Sequence, residues 1–460
     1  MVLDPGGPGR ARGVDTAARR DQVRKAAVAS VVGTSIEWYD FFLYNTAAAI
    51  VFKDVFFPSS TDYAGTLSAF ATYAVGFAAR PVGAALFGHW GDRLGRKATL
   101  IVTLLLMGIS SALIGVLPGT ETIGVAAPVL LVALRILQGI AVGGEWSGSV
   151  LLAMEWGDQR RRGLMASLPQ IGVPIGLILG TGAMTAIALS AEDAFTSWAW
   201  RVPFLLSLVL VAVGLWVRLQ VLETPLFAEI VERREVSRVP VAEVVRRHPR
   251  EIVLSALLRC SEQMPFYIFT SFALTYIHDD LGMAQGLALG AVTLAAVLEL
   301  FAIPAAGHLG DRIGSRRVYA TGALLVAVLA FPYFALLNTG IAVVVVVAVV
   351  LAQIPHSLQY GPQASMIAES FPTRLRYGGA GLGYQLASVV AGGPAPLLAT
   401  WLLHDYGWWA ISAAMVVASV LTLTAMALLP DRSRADITAD DAYSTPAPSA
   451  PTPRPEAPRD

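Results

Sequence analysis

The chain has 460 residues, of which 55% are hydrophobic and only 14% charged, and its mean hydropathy is +0.60. That is too apolar for a soluble domain of this length, so an integral membrane protein is predicted. The 33 basic and 33 acidic residues cancel, and one cysteine with six scattered histidines excludes an internal disulfide and supplies no metal-ligand cluster.

Residues 1–25 are polar and Arg-rich and are expected to be disordered. A hydrocarbon core of ~30 Å is crossed by about 20 apolar residues of helix, because lipid leaves the backbone no other partners. The first such run, 26–52, has no small-residue cleavage site after it and reads as a first span, not a removed signal. It sets Glu37, Asp40, Phe41 and Tyr44 on one helical face. The second run, 63–89, contains Arg80 before Pro81, deep enough that a pair with an acidic residue of a neighbouring helix is expected. Next comes Gly88-His89-Trp90-Gly91-Asp92-Arg93-Leu94-Gly95-Arg96-Lys97. Its glycines permit a sharp turn, and its Asp-Arg pair is suited to charge-assisted bonds to a neighbouring helix end, a cytoplasmic latch. The plainer alternative is a basic anchor that fixes topology. After a third run, 98–117, the fourth, 124–154, aligns Arg135, Gln138, Gly139 and Val142 and leads on to Glu145. Ionisable residues near the bilayer centre cost ~2.5–3.5 kcal/mol to insert and default to functional candidates. Glu37, Asp40 and Arg135 therefore read either as a set that binds an anion and exchanges a proton, or as a static pair holding the bundle. On the first reading Glu37 or Asp40 loads the proton, with Glu145, Glu262 and Glu299 next in line. Glycine-rich 164–190 and then 200–221 complete a first half.

A charged connector, 222–249, leads to 250–277, where Arg259, Glu262, Gln263 and Phe266 repeat the spacing of the first helix. Aligning Glu262 with Glu37 makes these two helices repeat equivalents, with Pro265 in place of Asp40; Arg259 and Glu262 are also placed to neutralise each other. The run 285–310 carries Glu299, a carboxylate with no partner that sequence can name. The earlier phrase then returns as Gly307-His308-Leu309-Gly310-Asp311-Arg312-Ile313-Gly314-Ser315-Arg316. A repeat at this distance means two homologous halves, and a duplicated helical membrane bundle is above all a transporter design. Runs 317–337, 340–368, 378–403 and 407–430 follow, then a Pro-rich tail, 431–460, expected to be disordered. The fold class is thus all-α and membrane-embedded, with twelve spans in two pseudo-symmetric six-helix bundles, 26–221 and 250–430. Lys and Arg collect in alternate loops, among them Arg160 to Arg162, Arg246, Arg247, Arg374 and Arg376, which puts both termini and both repeated phrases in the cytoplasm.

At this point the chain resembles the major facilitator superfamily, and within it the metabolite:H+ symporter family. The superfamily pattern is Gly88-x-x-x-Asp92-Arg93-x-Gly95-Arg96-Lys97 with its second-half echo at Gly307, Asp311, Arg312 and Gly314. The family pattern is Glu37-Trp38-Tyr39-Asp40-Phe41-Phe42-Leu43-Tyr44 with Arg135-x-x-Gln138-Gly139-x-x-x-Gly143-Gly144-Glu145. The branch looks like shikimate-type carriers. The resemblance implies proton-driven uptake of a small, often anionic metabolite by alternating access, in the plasma or inner membrane of a bacterium. The proton is then the coupling ion; no cofactor, metal, nucleic acid or obligate protein partner is implied, and a monomer is expected. A compatible-solute symporter, a drug or sugar carrier and a proton antiporter of the same fold stay open. A membrane enzyme would need a nucleophile with its base or a metal motif, and none is legible.

Overall fold

A computed structural model describes residues 16–58, 62–190, 194–224, 228 and 240–432 of the chain. The long apolar runs form helices that we label α1 (Thr16–Ala47), α2 (Asp62–Leu94), α3 (Arg96–Val116), α4 (Ala126–Trp156), α5 (Arg162–Ala188) and α6 (Arg201–Leu219). The second half contributes α7 (249–280), α8 (Gln285–Ile313), α9 (Ser315–Leu337), α10 (Ala342–Ala368), α11 (Thr373–Tyr406) and α12 (Trp408–Leu428). Among the described residues, nine segments qualify as spans by length and hydropathy alone. In α1, α2 and α7 the functional charges or helix breaks interrupt the apolar window. Large apolar side chains such as Phe301 (71% exposed) and Val343 (72%) face outward, as a lipid-facing belt requires.

Three boundaries differ from the sequence reading. The first helix begins at Thr16, so 16–25, expected to be disordered, is helical, with Asp21 paired to Lys25 at 2.7 Å one turn on. Helices α2 and α8 run through the repeated phrases, so Asp92 and Asp311 sit in a last helical turn. The turns that follow hinge on Gly95 (φ +108°) and Gly314 (φ +101°), a backbone region that favours glycine, at matching places in the two halves. The connector contains a short helix, Pro240–Arg247. Most of the rest of 222–249, residues 1–15 and the tail from 433 lie outside the described residues.

Close packing of α2 on α4 shapes the interior. A Cβ at Gly139 would come within 2.2 Å of the Gly76 carbonyl, and one at Gly143 within 2.1 Å of the Arg80 carbonyl, so only glycine lets these backbones touch. By contrast, α7 is broken. Arg259 separates Pro249–Leu258 from Cys260–Tyr267, Pro265 interrupts the second piece, and a π-helical turn follows at Ile268–Phe272. Helix α2 packs on α11 and α5 on α8 and α10 across the boundary between the halves.

Candidate functional site

Glu37, Asp40 and Phe41 of α1, Gly76 and Arg80 of α2, Met107 of α3, and Arg135, Gln138, Gly139 and Val142 of α4 line one buried cavity. The two stripes predicted on the first and fourth spans thus meet. Arg135 lies over the Tyr44 ring at 4.0 Å and donates to Gln138 Oε1 (3.2 Å), whose amide donates to Ser111 (2.7 Å). Ser207 of α6 donates to Asp40 Oδ1 at 2.6 Å, and Tyr44 shares a 2.6 Å bond with Thr72. The opposite oxygen of Asp40, Oδ2, and Glu37 Oε2 are buried and, among the described residues, accept no hydrogen bond. Arg80 corrects an expectation: among the described residues it makes no ion pair, and instead stands 4.1 Å over Phe77 and 5.0 Å over Phe41 at the cavity wall. Glu145 lies elsewhere; it is ion-paired with Arg218 of α6 and accepts from Thr103 (2.8 Å) and Ser149 (3.1 Å), which makes it a tie between helices. The cavity measures about 10 Å³, room for one water. A metabolite needs a more open arrangement than this one.

The second half gathers a different cluster. Arg259 and Glu262 pair at 3.2 Å, as their spacing allows, and Arg259 also donates to Gln363 (3.1 Å) and to the Tyr384 carbonyl (2.6 Å). Glu299, which had no partner in the sequence, meets His356 Nδ1 at 2.5 Å, and His356 Nε2 faces Glu262 Oε1 at 3.4 Å. The imidazole is stacked between Phe266 (4.8 Å) and Tyr360 (5.0 Å). Sequence reading passed over His356. The available signal was a polar stripe of Gln353, His356, Gln359, Tyr360 and Gln363 within an apolar helix. The cluster approaches the cavity through Phe266, whose ring lies 6.4 Å from that of Trp38 of α1, which in turn packs on the lining residue Phe41 at 5.0 Å.

At one end of the bundle each repeated phrase caps a helix of the other half. Asp92 accepts from the amides of Tyr377 (3.2 Å) and Gly378 (3.0 Å) in α11; Asp311 accepts from those of Gly163 (2.7 Å) and Leu164 (2.9 Å) in α5. A carboxylate at a helix N-terminus satisfies free amides and the helix dipole together. The arginines differ from expectation: Arg93 and Arg312 are exposed, and the buried Arg96 is the one beside Asp92 (3.6 Å), reaching also Glu155 (3.7 Å) and the Thr373 carbonyl (3.2 Å). Lys97 donates to the Leu219 carbonyl (3.1 Å), and Glu223 accepts from the amides of Arg96 and Lys97. Arg162 of α5 pairs with Glu369 beyond α10 at 3.5 Å. Burial pushes the Glu369 carboxyl up to about 7, against the pull of Arg162 and Arg376. The halves are therefore closed on the face that carries the repeated phrases.

A cavity bearing two arginines and two carboxylates, enclosed by α1 to α4 of one of two pseudo-symmetric membrane bundles, suits molecules that must cross the lipid, which makes this a solute transporter in class. Residues 25–243 match the family described as Sugar (and other) transporter, and 256–454 match the Major Facilitator Superfamily. The chain is 41% identical over 420 residues to the shikimate transporter of Escherichia coli (strain K12), covering 90% of this chain and 96% of that one. It is 39% identical over 410 residues to an inner membrane metabolite transport protein of the same strain (88% and 93% covered), and 31% identical to its proline/betaine transporter (90% and 85%). Among solved structures, a proton:xylose symporter superposes with a TM-score of 0.75 at 18% identity, over 92% of this chain and 99% of the other. The chain belongs to the major facilitator superfamily, among its metabolite transporters. Its activity is the passage of a small metabolite across a membrane.

Proposed function

We propose that the protein is a proton-driven importer of a small organic acid, working as a monomer in a bacterial inner membrane with both termini in the cytoplasm. The observation that supports this best is the presence, around one cavity, of Arg80 and Arg135 together with carboxylate oxygens of Glu37 and Asp40 that, among the described residues, accept no hydrogen bond. Arginine presents a planar fork that matches a substrate carboxylate, and Arg135 is already oriented by Tyr44 and Gln138. The partly satisfied carboxylates face the same space and suit substrate hydroxyls, which donate to them. The name of the 41% identical relative supports a cyclic hydroxy acid of the shikimate kind.

A zwitterionic solute is the second reading. Phe41 lines the cavity with the same carboxylates and Phe77 packs on it at 5.6 Å, and aromatic faces beside negative charge accept an ammonium group. The test is uptake of labelled shikimate, succinate, proline and glycine betaine into liposomes, with and without an inward proton gradient. Accumulation of an acid only with the gradient supports the proposal; accumulation of betaine or proline alone favours the second reading. Indifference to the gradient refutes proton drive.

A further inference from the structure

We infer that Glu262, Glu299 and His356 form the site that carries the coupling proton, in the C-terminal half and apart from the cavity proposed for the substrate. This rests on the proton-driven reading above. Sequence alone puts the proton on the Glu37 and Asp40 stripe; geometry and charge favour the other half.

The first argument is the hydrogen-bond inventory. His356 has a carboxylate oxygen facing each ring nitrogen, Glu299 at 2.5 Å and Glu262 at 3.4 Å. A neutral imidazole donates from one nitrogen and accepts at the other, so two carboxylates satisfy it only when one further proton is bound. With that proton the imidazolium donates on both sides. Without it a ring lone pair faces a carboxylate, the two repel, and this arrangement of α7, α8 and α10 loses its centre.

The second argument is charge balance. In the first half Glu37 and Asp40 are matched by Arg80 and Arg135 around the cavity, and Glu145 is matched by Arg218. In the second half Glu262 pairs with the guanidinium of Arg259, whereas Glu299, among the described residues, is ion-paired with His356 alone, so the cluster sets two carboxylates against one guanidinium. A buried excess negative charge is expensive in the membrane, and one proton cancels it. The other titratable groups facing the cluster are Cys260 and Tyr267 from α7, Tyr319 from α9, Tyr360 from α10 and Tyr384 from α11. A thiol and phenols are neutral at ordinary pH, so they leave the excess in place.

The third argument is mechanical. The cluster sits where α7 is broken, between Arg259 and Pro265, and Phe266 connects the His356 ring face to Trp38 beside the substrate cavity. Loss of the proton loosens three helices at a hinge that touches the other half, so the proton is released only as the transporter changes shape.

The test uses the full-length protein in liposomes, with labelled shikimate, succinate, proline and glycine betaine as probes. His356→Gln and Glu299→Gln should fail to accumulate any probe that the wild type accumulates under an imposed proton gradient, while retaining exchange of internal for external probe. If wild-type uptake ignores the gradient, the proton-driven reading fails whatever the variants do. If the wild type is driven and both variants still accumulate with the same pH dependence, the inference is overturned. A second measurement needs no variant: nitrogen-15 NMR of ring-labelled histidine in the wild type. A protonated imidazole persisting at about pH 7.5, above the ordinary histidine range, is expected, and six neutral rings at that pH would sink the inference.

Discussion

Arg135 is held in place. Its guanidinium carbon lies 4.0 Å from the centre of the Tyr44 ring and one of its nitrogens donates to Gln138, so the substrate meets a positioned donor group and not a mobile charge. Lysine keeps the charge but has neither the plane nor the fork. Arg135→Lys should therefore lower kcat/KM by about 10- to 100-fold, equivalent to ~1.4–2.7 kcal/mol of lost transition-state binding. Proteoliposome uptake at matched protein density checks this, and wild-type kinetics would show that Arg135 does not touch the substrate. Asp40 illustrates the other side of the same economy of contacts. One of its oxygens is tied to Ser207 of α6 and the other is left for the cavity, an arrangement that holds the carboxylate in place without occupying it.

At the scale of helices, the α2–α4 contact is set by absent side chains. Gly143→Val adds a branched chain where a Cβ alone already falls 2.1 Å from the Arg80 carbonyl, and a backbone atom does not swing aside. Overpacking of this kind costs ~1–3 kcal/mol or more, so a lower Tm in detergent, with loss of uptake, is expected. The helix ends on the face of the repeated phrases add a pH response. The Glu369 carboxyl, near Arg162, Arg376 and Asp431, is pushed up to about 7 by burial in the closed shape. Opening to water returns it towards about 4.3, so the closed shape binds the proton more tightly. Closure is thus favoured as the pH on this face falls through about 7, and opening is favoured as it rises. Glu369→Gln should remove this component and hold the closed shape more strongly at alkaline pH. Cytoplasmic thiol accessibility measured from about pH 5.5 to 8.5 reads it, and identical profiles for variant and wild type would contradict the assignment.

For the whole molecule, the two latches are related by the duplication but are unequal. Asp92 is buried and flanked by Arg96, whereas Asp311 is half-buried and Ser315 stands at the position equivalent to Arg96. Each aspartate makes charge-assisted bonds to a helix end, typically ~1.5–3 kcal/mol apiece. Asp92→Asn should accordingly raise the cytoplasm-open population more than Asp311→Asn. Ser147 offers a reporter, because a Cβ on Gly381 of the opposite half would lie 2.6 Å from its hydroxyl. In a Cys260→Ser background, Ser147→Cys should label slowly with a wild-type latch and faster with Asp92→Asn. Equal rates would remove the latch from the mechanism. A fall in turnover with substrate affinity preserved should accompany the faster labelling, since the change acts on an equilibrium between shapes and not on the cavity.

The sequence by itself determined the architecture. Apolar run length, the doubled Gly-His-x-Gly-Asp-Arg-x-Gly phrase and the alternation of basic loops define two six-helix halves, because lipid admits so few ways to satisfy a backbone. Helical periodicity likewise put Glu37 with Asp40, Arg135 with Gln138 and Arg259 with Glu262, each pair on one helix face. What the tertiary structure decided is which helices face one another. Arg80 stands over aromatic rings without an ion pair, Glu145 goes to Arg218 and away from the cavity, and Arg96 rather than Arg93 supports the latch. Above all, His356 and Glu299 come together from separate helices, each looking solitary along the chain. Periodicity reports neighbours within a helix, where spacing is fixed by the backbone; contacts between helices depend on rotation and crossing, which are settled only when every small face, such as Gly139 and Gly143 on α4, has found its partner.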